Sequence, residues 1–181
     1  MTKPINTASI EKATNKSWQQ WVKELDESGS RQLSHIDLVR KLHNELDGKL
    51  KSHDWWAQSI AVAYEQHVGK RVPGQLANGL FELAVSKTVP QARSKVFIRV
   101  VEWFEKRNEL NGREPLKPRS TQTPNRSNWR CDFADGSKFA ATVEGDDIKS
   151  KLVLSHTLVQ SEKEADNWKV FWKNVADELT R

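Results

Sequence analysis

SEKEADNWKVFWKNVADELTR, residues Ser161 to Arg181, reads as one long amphipathic helix. Ala165, Trp168, Phe171, Trp172, Val175, Ala176 and Leu179 recur at spacings of three and four and make one apolar face. Ser161 and Glu164 have the spacing of a capping box, so the helix start is written locally. Three large aromatics on one helix need a broad apolar partner. Residues 81–159 hold alternating segments that supply one, and the pattern predicts a curved sheet wrapped on this helix.

Working backwards from the helix, Leu152, Leu154, His156 and Leu158 alternate with Val153, Ser155, Thr157 and Val159. Gly145-Asp146-Asp147 reads as a turn. Phe139, Ala141 and Val143 form a strand that returns from Trp129, Cys131 and Phe133 through a hairpin turn of the favoured type at Asp135-Gly136. A short strand is expected over 116–122. Ala92 to Lys106 has helical spacing, with Val96, Val100, Trp103 and Phe104 inward. Phe81, Leu83, Val85 and Val89 alternate as a first strand, closed by Pro90. The order is strand, helix, several antiparallel strands, long helix.

The first 74 residues read differently. Ser9 to Ala13 suits a short helical turn. Ser17, with Gln20 at the reciprocal position, opens a helix whose inner face is Trp18, Trp21, Val22 and Leu25. Ser34 caps a second, with Ile36, Val39, Leu42 and Leu46 inward and Asp37 in its first turn. Asp54 or Ser52 caps a third, with Trp56, Ile60, Ala63, Tyr64 and His67 on one face and Trp55 beside them. Gly69 is its stop. The fold class is therefore α+β, with a three-helix unit (1–74) followed by a sheet wrapped on a C-terminal helix (75–181).

Composition narrows the function classes. No apolar run approaches the roughly 20 residues of a membrane span, and the N-terminus lacks an apolar signal core, so a cytoplasmic protein with no membrane partner is expected. One cysteine excludes an intramolecular disulfide and a multi-cysteine metal site. The five histidines show no pair with helical spacing and an acidic partner, so no metal site and no cofactor are expected. The net charge of +5 is concentrated in residues 106–130, with seven basic residues against two acidic ones. That stretch reads either as an anion-facing patch, through Arg113, Lys117, Arg119 and Arg126, or as a solvated loop.

The element order, Val89-Pro90 closing the first strand, Val96-Phe97 in the next helix, Asp135-Gly136, and above all KSKLVLSHTLVQSEKEADNWKVFWKNVADEL (149–179) resemble the helix-grip (START-like, SRPBCC) superfamily. Within it they resemble bacterial relatives of the activator of the heat-shock-protein-ninety ATPase. KSWQQWVKELD (16–26) and WWAQSIAVAYEQHVGKRVPGQ (55–75) resemble a small bacterial helical domain of unknown function that often precedes such a region. The resemblance implies a helix-grip fold, here shortened. It also implies binding of a small apolar ligand or a protein partner between sheet and C-terminal helix, or occasional cyclase or hydrolase chemistry there. No catalytic residue of the superfamily maps onto this chain.

The candidate ligand-binding residues are those whose parity points between sheet and helix: Leu83, Val85, Cys131, Leu154, His156, Trp168 and Trp172. His156 would orient a polar group of a ligand, or is a hydrogen-bonded core histidine. Cys131 would need a base to act as a nucleophile, and His156 is the candidate in that region; otherwise it is a small packed side chain. Trp168 and Trp172 line a cavity or fill it. Nucleic-acid binding is a further reading, through residues 106–130 or the helices of 34–70. The first 74 residues hold eleven basic against nine acidic residues, a thin charge for phosphate. The function expected is a non-enzymatic binding module.

Overall fold

Helices with local caps and apolar spacing come first in the chain, and strands follow. The computed structural model describes residues 4–181. The chain forms two units, Met1–Ala77 and Asn78–Arg181. Among the described residues no helix is long and apolar enough to cross a membrane.

The first unit holds helices α1 (Thr7–Thr14), α2 (Trp18–Glu27), α3 (His35–Leu46) and α4 (His53–His67), with a 3-10 turn at Ser30–Gln32. The turn expected at 9–13 is thus a full helix: Asn6 caps it by accepting from Ala8 N, and Ile10 is buried. The reciprocal cap of Ser17 and Gln20 forms, as does the Ser34 cap on Asp37 N. Ser52 caps nothing with its side chain. Trp21, Leu25, Leu38, Leu42, Leu46, Ala57, Ile60, Ala61 and Tyr64 make the core. Two positions read as inner turn out: Ile36 is 68% exposed, with Leu38 inside in its place, and His67 is exposed; Trp55, read beside the inner face, is 60% exposed. A helix face about 100° wide takes only part of a run of consecutive apolar residues, and α4 packs its small residues inward.

The second unit holds β1 (Phe81–Val89), α5 (Arg93–Glu105), β2 (Leu116–Gln122), β3 (Arg126–Asp132), β4 (Lys138–Gly145), β5 (Ser150–Val159) and α6 (Glu162–Leu179). All pairings are antiparallel, in the order β1-β5-β4-β3-β2. The first strand therefore lies beside the last. α6 packs on β1 and β5, and α5 on β3 and β4. This is a shortened helix-grip domain, with both helices on one face of the sheet.

Three local details differ from the reading of the strands. Asp135-Gly136 belongs to a three-residue loop: Phe133 N–H donates to Ser137 O and Gly136 N–H donates to Phe133 O. Gly136 (φ +84°) takes the left-handed position and Asp135 does not, so the two-residue mirror-image turn is not formed. On β5, Leu83 pairs with His156 but Phe81 pairs with Val159. The extra residue is a bulge with Leu158 at φ +59°, and it turns Val159 into the core where alternation had placed Leu158. A second bulge, at Lys117 (φ +51°) before Pro118, interrupts edge strand β2. Charge, proline and a bulge together blunt an open sheet edge.

Candidate functional site

Aromatic rings occupy the space between α6 and the sheet. Trp172 stacks on Phe139 with centroids 3.8 Å apart. Trp168 stacks on Trp172 at 5.3 Å. Phe104 stacks on Trp129 at 4.1 Å and leans on Phe139 at 5.4 Å. Phe133 stacks on His156 at 5.2 Å. Rings at these separations are in contact, so the layer is a packed core. Of the candidate ligand-binding residues, Leu83, Cys131, Leu154, His156, Trp168 and Trp172 are all buried, and Val85 is half-buried.

His156 is fully satisfied within this layer. Trp172 Nε1 donates to His156 Nδ1 at 3.1 Å. Nδ1 must then be the bare nitrogen, so the proton sits on Nε2, which lies 3.0 Å from the buried Ser137 Oγ. Burial, aided by Arg113 and opposed by Asp135, lowers the His156 pKa from 6.5 to about 4. The ring is neutral at pH 7 and already spends both nitrogens. Burial, together with the Asp132 charge, pushes the Cys131 thiol up to about 12, so it stays protonated and unreactive. A thiolate–imidazole pair has no basis here.

The long helix presents a different surface on its outer side. A groove of about 600 Å³ runs there, lined by Asn111, Arg113, Glu164, Asn167, Val170, Phe171 and Asn174 with Trp168 at its floor. Phe171, expected to face inward, is half-buried on its rim, and Val170 is 64% exposed. Ser161 caps α6 by accepting from Glu164 N. The Glu164 side chain accepts from Arg113 Nη2, and Arg113 Nη1 donates to Asp135. Burial works to raise the Asp135 carboxyl, but hydrogen bonds from Ser137 and the Arg113 charge outweigh it and hold it below the usual range. Glu164 Oε2 has no hydrogen-bond partner. The groove end is thus a two-carboxylate, one-guanidinium cluster rather than a basic patch.

The remaining basic candidates are distributed in the same way. Arg119 donates to Asp132 at 3.1 Å and Arg126 pairs with Glu144. Lys117 is exposed on the edge strand. Arg107 pairs with Glu178 and lies 3.7 Å from the centre of the Trp103 ring. Several members of the basic run in sequence meet acidic side chains that arrive from β3, β4 and α6.

Sequence reading missed the groove because two of its eight lining residues, Asn111 and Arg113, come from a loop that carries no helical or strand pattern. It also treated the histidines as scattered. His43 and His53 in fact meet, with ring centroids 4.7 Å apart, and each has a carboxylate neighbour.

No family model matches this chain, and no curated protein matches it. One solved structure that resembles it is the solution structure of the Aha1 dimer from Colwellia psychrerythraea. It has 11% sequence identity and a TM-score of 0.37, over 56% of this chain and 97% of that one. The fold assignment rests on the strand order and on the helix laid over β1 and β5.

Proposed function

We propose that the protein is a non-catalytic binding module whose second unit takes an extended segment of a partner polypeptide in the groove along α6. The observation that carries this is the contrast between a filled interior and a half-open groove that mixes apolar and amide groups. Val170 and Phe171 offer a seat for an apolar side chain. Asn111, Asn167 and Asn174 each offer a carboxamide donor and acceptor, which match the N–H and C=O of a peptide backbone. A small apolar ligand would find fewer partners, because amides left unpaired beneath it are costly.

The test is selection of a random peptide library against the full chain, with affinities measured for wild type and for Val170→Glu, Phe171→Ala and Asn174→Ala. Selected peptides are expected to weaken about tenfold or more with Val170→Glu, an effect of about 1.4 kcal/mol. Peptides that bind all four proteins equally, or a library that yields none, would sink the reading. Native mass spectrometry of the purified chain covers the other ligand class: a stoichiometric small mass released on denaturation would favour an apolar ligand instead.

A further inference from the structure

His43 stands in the last turn of α3, Asp47 at its C-terminal cap, and His53 and Asp54 in the first turn of α4. The short connection between the helices folds these four side chains onto one corner of the first unit. His43 Nδ1 lies 2.7 Å from Asp54 Oδ1. His53 Nε2 lies 3.7 Å from that same oxygen and 3.6 Å from Asp47 Oδ1. One donor atom from each of His43, His53 and Asp54 falls within 4.8 Å of the others.

We propose that this corner binds a divalent transition-metal ion of the zinc class, ligated by His43 Nδ1, His53 Nε2 and the Asp54 carboxylate, with Asp47 as a second carboxylate beside His53. Two imidazoles and a carboxylate suit zinc and its neighbours and do not suit magnesium or calcium, which take oxygen. Donors bonded at about 2.0–2.2 Å around a tetrahedral ion stand roughly 3.3 Å apart. The two ligand separations to Asp54 Oδ1, 2.7 and 3.7 Å, straddle that value, and the two imidazole donors lie within 4.8 Å of each other. With both histidines neutral the four side chains carry two negative charges. That charge outweighs the positive end of α4, on which the site sits. All four side chains reach solvent, at 40%, 66%, 25% and 80% exposure for His43, Asp47, His53 and Asp54, so an ion has a way in and water completes its shell.

The other histidines do not share these features. Glu65 beside His35 is already neutralised by Arg71 at 2.9 Å, and His156 has spent both its nitrogens on Trp172 and Ser137. His67 is exposed and rests edge-on against Trp18.

The experiment uses the full chain, stripped with a chelator and titrated with zinc by calorimetry, with cobalt as a spectroscopic stand-in. One ion per chain is expected, with a dissociation constant in the range of about 1 µM to 100 µM. His43→Ala and His53→Ala should each abolish saturable uptake, Asp47→Asn should weaken it about tenfold, and His67→Ala should leave it unchanged. Circular dichroism of each variant reports whether the helices persist. A second readout needs no variant: imidazole nitrogen resonances of the wild type should shift at His43 and His53 on zinc addition, and those of His156 should not. Absence of saturable uptake at about 1 mM zinc, uptake that survives loss of both histidines, or shifts confined to other histidines would overturn the proposal.

Discussion

Glu65 in the first unit and His156 in the second are both buried ionisable groups, and the chain treats them in opposite ways. Glu65 is given ionic partners: Arg71 approaches at 2.9 Å and His35 Nδ1 at 3.0 Å, and all three side chains are largely covered. His156 gives up its charge and takes neutral partners, the Trp172 indole and the Ser137 hydroxyl. A charged group inside a protein needs an opposite charge beside it, and Arg71 follows α4 closely enough to supply one. The sheet unit has no such partner inside its ring stack, so burial makes neutrality the cheaper state. The helical unit is therefore held partly by a directional charge pair. The sheet unit is held by shape.

That difference can be broken at its strongest point with Trp172→Ala. The substitution removes a fully buried ring stacked on Phe139 and Trp168 and strands the bare His156 nitrogen. A loss of about 3–5 kcal/mol is expected, read from denaturant unfolding and localised by hydrogen exchange to residues 81–179. Next in size is Glu65→Ala, which leaves the Arg71 guanidinium covered and unpaired and should cost about 3 kcal/mol. The double variant Glu65→Ala with Arg71→Met should recover most of that loss. If it did not, the pair would be contributing more than mutual neutralisation.

The pH response sharpens the same contrast. The folded pKa of His156, about 4, is depressed below the unfolded value of 6.5. Below pH 6.5 the unfolded chain binds a proton that the folded one refuses, so stability present above pH 6.5 is lost as pH falls towards 4. Between pH 7 and pH 5 the loss should be about 2 kcal/mol, and His156→Gln should flatten that slope even if it lowers stability throughout. Smallest is Arg113→Met at the partly exposed cluster with Asp135 and Glu164, expected to cost about 1 kcal/mol or less. An unchanged pH slope in His156→Gln would transfer the acid sensitivity to some other group.

What the sequence made legible was local. The apolar stripe of α6, the Ser17 and Ser34 caps and the edge strand at 116–122 depend on residues a few positions apart. The parity change at Val159 depends on Glu82, far upstream, because a bulge exists only relative to its partner strand. Glu164 behaves likewise. Its spacing from Ser161 suits a reciprocal cap, but Arg113 reaches it from the loop before β2, and a charged partner outcompetes a backbone amide. The candidate residues between sheet and helix share one buried layer, with Val85 half-buried, and the parity reading fails only beyond them on β5, at Leu158. Whether parity led to a cavity or to a core was decided by ring volume, which spacing does not record. The outer groove and the His43–His53 corner were invisible for the same reason as the bulge.

The pairing of β1 with β5 also orders events in time. β3, β4 and β5 follow one another through short turns, so their ladder closes quickly once made. β1 leaves the ribosome first among the strands and waits for a partner that is synthesised last, and α6 comes later still. Until then Phe81, Leu83 and Val89 have no apolar surface to cover them. A nascent chain stalled before residue 150 would display that strand uncovered, and a chaperone of extended apolar segments would find its longest opportunity there.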